Sequence, residues 1–238
     1  MDNLVIVVLA GGKGTRMKST LPKVCHRVGD KTMIEHVVGS AEKLKPIETI
    51  VVVSKDNVRD IRYVLQDYDI RIKIQTEPLG TAHAVLSAFP CCNETKNVLV
   101  LLGDVPLITE QTMRKICSTD FDAVVVGFIN KDTTNKCGRI LIENKRVKSI
   151  IEYAEATSEQ RKITLCNSGM LWIKSTYVNL LYDIGNNNVK GEYYLTDIVD
   201  IMVNENLHIG FLQAGYNECM GANTPQDLDR LNQIHSQK

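Results

Sequence analysis

Charge of one dominant sign is missing from this chain. Its 28 basic and 28 acidic side chains cancel, so nothing in the balance points to nucleic acid or an anionic membrane surface. Long apolar runs are missing too. The longest are six to eight residues, too short to cross a bilayer. Asp2 precedes the first apolar run and no cationic stretch does, which argues against a signal peptide. No C-x-x-C pair exists among the seven cysteines, so zinc is not expected and reduced thiols in a cytoplasmic setting are. The adjacent Cys91 and Cys92 are poorly placed for a strain-free disulfide. The five histidines make no H-x-x-x-H pattern, and no G-x-S-x-G elbow occurs. Repeats, low-complexity stretches and linkers are also absent, so 238 residues read as one domain with a sizeable core.

What is present is an alternation. Leu4 to Leu9, Thr49 to Val53, Ile70 to Ile74, Asn97 to Leu102 and Asp122 to Ile129 read as strands. Between them Met33 to Leu44, Val58 to Leu65, Thr81 to Phe89 and Thr109 to Cys117 read as helices. Ser54 or Asp56 is available to cap the second of these. The alternation predicts right-handed βαβ units and an α/β fold with a mostly parallel sheet covered on both faces. After residue 130 the pattern loosens. Arg139 to Glu143 and Val147 to Glu152 predict a hairpin about Glu143-Asn144-Lys145, and Asn167 to Ile173 a further strand. Glu192 to Asn204 and Thr224 to Ile234 predict helices. This second half is expected to add a lid or extra sheet.

The most informative stretch is Leu9-Ala10-Gly11-Gly12-Lys13-Gly14-Thr15-Arg16-Met17, followed by Leu21-Pro22-Lys23. Glycines expose backbone N–H groups, and cations follow at once, which is the chemistry of a polyphosphate site. A dinucleotide fingerprint would need glycine where Met17 stands, and a Walker A loop would need Ser or Thr after Lys13. What remains is a loop of donors with Arg16 and Lys23 as phosphate partners. Asp104 ends an apolar strand before Pro106. At the carboxyl end of such a strand it suits Mg²⁺, and it equally suits a helix cap. Gln75 can address the edge of a nucleobase, and Gly80-Thr81 lets backbone approach a ligand and caps the next helix. Gly138, Glu152, Asn167, Tyr194 and Thr196 lie in segments of glycine, amide, carboxylate and hydroxyl groups. Such groups bind sugar hydroxyls, although each segment also has a structural explanation. Asn223 or Thr224 reads as the cap of the last helix, at the end of the last strand.

Taken in order, LAGGKGTRM, LPKVCHRVGDKTMIEHV, LGTAHA, LGDVPLI, GRI, NSG, GEYYLTD and GAN resemble the sugar-phosphate nucleotidyltransferases. The closer resemblance is to the uridylyltransferase part of the bacterial bifunctional enzymes that make UDP-N-acetylglucosamine. It spans essentially the whole chain. It implies a Rossmann-like nucleotidyltransferase fold with a smaller β-rich sugar-binding part, a nucleotide-binding half over 1–130 and a sugar-binding half over 131–238. It implies UTP and N-acetylglucosamine 1-phosphate as substrates, with Mg²⁺ as cofactor. Leu9, Ala10, Gly11, Gly12 and Gly103, with Gln75, Gly80 and Thr81, would then hold the nucleotide. Arg16 and Lys23 would neutralise phosphates, and Asp104 and Asn223 would bind Mg²⁺. Leu102, Gly138, Glu152 and Asn167 would contact the sugar, with Tyr194 and Thr196 supporting that wall. Gly11, Pro78, Leu102 and Cys137 stand where these relatives usually carry Ala, Gln, Tyr and Tyr. No hexapeptide repeats follow, so acetyl transfer and trimerisation through a β-helix are not expected, and a monomer or dimer is.

Overall fold

A computed structural model describes residues 3–89 and 96–237; Cys91 and Cys92 lie outside them. The strands are β1 (Leu4–Leu9), β2 (Arg27–Val28), β3 (Lys31–Thr32), β4 (Glu48–Ser54), β5 (Arg71–Gln75), β6 (Asn97–Leu102), β7 (Ala123–Ile129), β8 (Arg139–Glu143), β9 (Arg146–Ile151), β10 (Leu165–Ile173) and β11 (Ile209–Gln213). The helices are α1 (Met33–Glu42), α2 (Val58–Val64), α3 (Thr81–Leu86), α4 (Glu110–Cys117), α5 (Ser158–Arg161), α6 (Ile198–Asn204) and α7 (Pro225–His235). None of the described helices is long and apolar enough to cross a membrane.

The main sheet runs β11-β7-β10-β6-β1-β4-β5. Neighbours are parallel except at β10, which is antiparallel to both β6 and β7. The predicted mixed, mostly parallel Rossmann-like sheet is therefore present. The hairpin β8–β9 attaches through β10 and forms the smaller β-rich part. Because β10 sits between β6 and β7, the second half of the chain is woven into the sheet of the first.

Burial explains the strand sequences. On β1, Ile6 and Val8 enter a core on one face of the sheet with Val37 and Ile61, while Val5 and Val7 enter the core on the other face with Ala82 and Val199. A strand buried on both faces has no place for alternation, so it reads as an unbroken apolar run. Each such Val or Ile stabilises the fold by roughly 1.5–3 kcal/mol relative to exposure. A third cluster of Val28, Met33, Leu107, Ala222 and Leu231 clamps α7 over the β2–β3 hairpin. That packing brings residues 221–223, far away in sequence, against the first half.

Several expectations are corrected. The helix expected from Glu192 starts only at Ile198, after a 3-10 turn over Leu195–Asp197. The Tyr193 backbone is committed elsewhere, its N–H to Leu79 and its carbonyl to Ala82. The helix expected to reach Phe89 ends at Leu86. Neither Ser54 nor Asp56 caps α2, whose N-cap position is Asn57. The last strand is β11, which the sequence pattern does not announce, so Gly221 to Thr224 follow a loop and not a strand.

Candidate active site

The carboxyl ends of β1, β4 and β6 lie side by side, as expected for a ligand site in an open α/β sheet. Gly103 N–H donates to the Leu9 carbonyl at 2.9 Å and Ala10 N–H to the Val52 carbonyl at 2.7 Å. The glycine loop thus leaves the sheet held by both neighbouring strands. Asn57, buried, braces it further: its side chain accepts from Ser54 N–H at 2.8 Å and donates to the Ala10 carbonyl at 2.8 Å. The loop turns at Gly14, φ +61°, where a Cβ would stand 2.7 Å from Lys23 Cβ. Gly14, part of the glycine-rich stretch but given no role of its own from sequence, therefore lets the loop close onto Lys23, and Asn57 was not among the residues the sequence singled out. Short 3-10 turns at Thr15–Met17 and Lys23–Cys25 carry the exposed Arg16 and the partly buried Lys23.

Four predicted residues from three segments meet here. The Lys23 ammonium is salt-bridged to Asp104 Oδ2 and donates to Asn223 Oδ1 at 3.2 Å. Arg16 Nη2 donates to the same Asn223 oxygen at 3.0 Å. The Lys23 and Asp104 side chains are only 14% and 16% exposed, so water screens their interaction weakly. The helix-cap alternative falls away for Asp104 and Asn223, while Thr224 takes the cap expected of one of the pair. Helix α4 is capped by Thr109 and α7 by Thr224 in a capping box with Asp227. Asp227 Oδ2 accepts from the N–H groups of both Asn223 and Thr224. This fixes the start of α7 and leaves the Asn223 carboxamide free for Arg16 and Lys23.

One carboxylate oxygen and one amide oxygen thus converge on a single cation, the Lys23 ammonium. That donor pair fits Mg²⁺, which takes one or two protein oxygens beside phosphates and water. Among the described residues, no three His, Cys, Asp or Glu side chains are grouped to hold a metal without such help.

Four of the six residues expected on the sugar side, Leu102, Glu152, Asn167 and Thr196, line a cavity of about 120 Å³ together with Leu9 and Thr81, among others. Thr196 Oγ1 donates to Glu152 Oε1 at 3.0 Å. Asn167 Oδ1 accepts from Gly169 N–H at 3.1 Å, and Asn167 N–H donates to the Gly138 carbonyl at 2.9 Å. Gly138 and Tyr194 do not line the cavity. Gly138 supports it through Asn167, and Tyr194 is buried with a hydroxyl that has no hydrogen-bond partner among the described residues. A wider depression of about 720 Å³ lies at the opposite, amino ends of β4 and β5, around Glu48, Asp69 and Arg71. None of the predicted site residues lines it.

The residues expected on the nucleobase side are more committed than the sequence suggests. Gln75 Nε2 donates to the Gly80 carbonyl at 3.1 Å and to His83 Nδ1 at 3.0 Å. Both amide hydrogens are used, and an acceptor oxygen remains. The Gly80-Thr81 pair opens α3 as expected, though with no side-chain cap. Gly80 holds the N-cap position, and Thr81 Oγ1 accepts from Leu195 N–H at 2.9 Å. At Gly11 a Cβ would come no closer than 3.4 Å to Gln75 Oε1 and Ser54 N, and at Gly12 it would meet nothing within 4 Å. The loop thus has room for an alanine in place of Gly11.

Burial raises the Asp197 carboxyl from 3.8 to about 6, helped by Asp200, Glu155 and Glu152. Its protonated form is favoured by folding. That contribution is complete below the ordinary carboxylate range and is lost as pH rises through about 6. Asp197→Asn should therefore raise Tm by about 2–4 °C near pH 8, and by almost nothing near pH 4. Thermal unfolding at the two pH values checks this; an equal shift at both would rule out charge as the cause.

A family model described as the MobA-like NTP transferase domain matches residues 6–165. The bifunctional protein GlmU of Bartonella bacilliformis is 38% identical over 95% of this chain and 51% of its own length. That of Cereibacter sphaeroides is 37% identical over 94% of this chain and 50% of its own. The chain spans about half the length of the curated relatives it matches. A Bacillus anthracis structure, described as that of a candidate glucose-1-phosphate thymidylyltransferase in complex with a sucrose, superposes with a TM-score of 0.78. It is 18% identical, covers 98% of this chain and 95% of its own, and so shows the fold. With a family model matching residues 6–165, more than half of its length, the chain belongs to the MobA-like NTP transferase family of nucleotidyltransferases.

Proposed function

We propose that this chain transfers UMP from UTP to N-acetylglucosamine 1-phosphate, releasing pyrophosphate, with Mg²⁺ as cofactor. The observation that carries the reading is the convergence of Arg16, Lys23, Asp104 and Asn223 on one point beside the glycine loop. The choice of uridine and of the N-acetylated sugar follows the resemblance of the ordered motifs and the GlmU-named relatives.

The chemistry asks little of the protein beyond position and charge. A sugar 1-phosphate oxygen is already anionic near neutral pH, since the second phosphate pKa is about 6. It attacks the α-phosphorus in line without a general base, which is consistent with a site built from cations, a carboxylate and amides. Arg16 and Lys23 hold the α-phosphoryl oxygens and the departing pyrophosphate. Phosphate oxygens compete with Asp104 and Asn223 for the Lys23 ammonium, so that cation becomes a substrate ligand. Asp104 and Asn223 would hold Mg²⁺, which when bound supplies further neutralisation of phosphate charge. The remaining acceptor of Gln75 suits the imide N–H of uracil, and the Glu152–Thr196 pair with Asn167 suits sugar hydroxyl and acetamido groups.

Pyrophosphate release measured over UTP, dTTP and CTP against N-acetylglucosamine, glucosamine and glucose 1-phosphates tests the reading. UTP with N-acetylglucosamine 1-phosphate should lead every other pair by tenfold or more, about 1.4 kcal/mol of transition-state preference. A lead for dTTP would overturn the base assignment. A lead for the unacetylated sugar would overturn the roles given to Glu152 and Asn167.

A further inference from the structure

Either end of a carboxamide fits the same space, so its hydrogen-bond partners decide which way round it lies. Gln75 ends β5, in register with Ser54 at the end of β4. The Gly80 carbonyl, which also accepts from Ala84 N–H at 3.1 Å, has nothing to donate. The Gln75 group 3.1 Å from it must therefore be the amide nitrogen, Nε2. The second hydrogen on that nitrogen is received by His83 Nδ1, 3.0 Å away on α3. A ring nitrogen that receives a hydrogen bond carries no proton, so the imidazole proton sits on His83 Nε2.

This leaves Gln75 Oε1 over the glycine loop, where a Cβ added at Gly11 would stand 3.4 Å from it. Both hydrogen bonds of the carboxamide among the described residues run through its nitrogen, so the oxygen is available to a ligand. With Gly80 alone the carboxamide would pivot about a single bond. The second bond, to His83, fixes its plane and the direction of the oxygen. That direction matters to a base, because uracil has N–H at N3 and cytosine a bare nitrogen there. An oxygen held against N3 bonds the first and repels the second. An amide nitrogen in the same place does the reverse.

We propose that His83, as its Nε2–H tautomer, is a positioning residue that holds the Gln75 carboxamide with its oxygen toward the base and so makes the site select uracil over cytosine. This deepens the proposed function and rests on its assignment of Gln75 to the base. His83 touches no substrate in this role and acts only through Gln75. It is half-buried and sits in the first turn of α3, on the helix that Gly80 opens, so the two acceptors on the Gln75 nitrogen come from one rigid element. A residue with no acceptor at position 83 would leave one amide hydrogen unpaired and the oxygen loosely aimed.

Long-range ¹H–¹⁵N correlation on the ligand-free full chain, in mildly alkaline buffer, reads the His83 tautomer. A proton on Nε2 and a bare Nδ1 are expected, and a proton on Nδ1 overturns the proposal. The ratios of kcat/KM among UTP, CTP and dTTP, with N-acetylglucosamine 1-phosphate, are then compared in the parent, His83→Leu and His83→Asn. Leucine removes the acceptor and should lower the UTP-to-CTP ratio about tenfold. The UTP-to-dTTP ratio should stay within about twofold, because thymine carries the same N3–H. Asparagine can place Oδ1 where Nδ1 stood and should restore most of the lost preference. Should His83→Leu not fold, His83→Phe, which also lacks an acceptor, takes its place. Equal losses for all three triphosphates mark a merely structural role and overturn the selection. If the parent turns over none of them, the proposed function falls and the selection with it, while the tautomer still reports whether His83 holds Gln75.

Discussion

Asp104→Asn should cut pyrophosphate release roughly a thousandfold at saturating Mg²⁺ while leaving the fold intact. The substitution keeps the shape of the side chain and an oxygen for the Lys23 ammonium, which still has Asn223 Oδ1 at 3.2 Å. What it removes is the one negative charge in the cluster. The phosphates would then meet Arg16 and Lys23 with no carboxylate to hold Mg²⁺ between them. Asp104→Ala should be equally inactive and also less stable, by about 1–3 kcal/mol, because it strands a mostly buried cation. Comparing the two separates the metal role from the structural one. Steady-state kinetics with a Mg²⁺ titration, together with thermal unfolding, makes the measurement. Activity of Asp104→Asn within about tenfold of the parent would rule out the metal assignment.

How legible the site was differs from residue to residue. Asp104, Lys23 and Arg16 stand out because charge beside apolar or glycine-rich sequence has few purposes other than a ligand or a cap. Choosing between those two needed the structure, in which Thr109 and Thr224 take the caps. The strands β1, β4, β6 and β7 were legible because burial on both faces leaves a continuous apolar run. The five-residue β11, Ile-Gly-Phe-Leu-Gln, was not, since it holds a glycine that lowers strand propensity. Asn57 is invisible for a different reason. A lone amide after a strand reads as a helix cap, and its actual bonds, to Ser54 and Ala10, depend on a tertiary approach. The false helix from Glu192 has the same origin. Local sequence permits it, but long-range bonds between Tyr193 and residues 79–82 override that preference. Gly80 and Thr81 were read as ligand contacts, and the structure gives them this second task of tying the two halves together.

That tie predicts the largest stability effect in the chain. Gly80 sits at φ +121°, ψ 176°, a region essentially closed to side chains. A Cβ there would stand 2.4 Å from the Tyr193 carbonyl oxygen and 2.7 Å from its nitrogen. Both are backbone atoms, so no side-chain rotation relieves the clash. Relief would have to come from separating the segments, at the expense of the bonds from Tyr193 N–H to Leu79 at 2.8 Å and from Ala82 N–H to Tyr193 at 2.9 Å. Strain and lost bonds together should cost Gly80→Ala about 3–5 kcal/mol, lowering Tm by roughly 10 °C in a chain of this size. The damage should not stop at stability. Gln75 is held by the Gly80 carbonyl, and Thr81 is bonded to Leu195 beside Thr196. KM for triphosphate and sugar phosphate should therefore rise together, where a fault confined to one pocket would raise only one. Gly12→Ala is the control, since a Cβ there meets nothing within 4 Å, and its Tm should stay within about 2 °C of the parent. If Gly80→Ala melts with the parent and keeps both KM values, the two halves are not coupled through this turn.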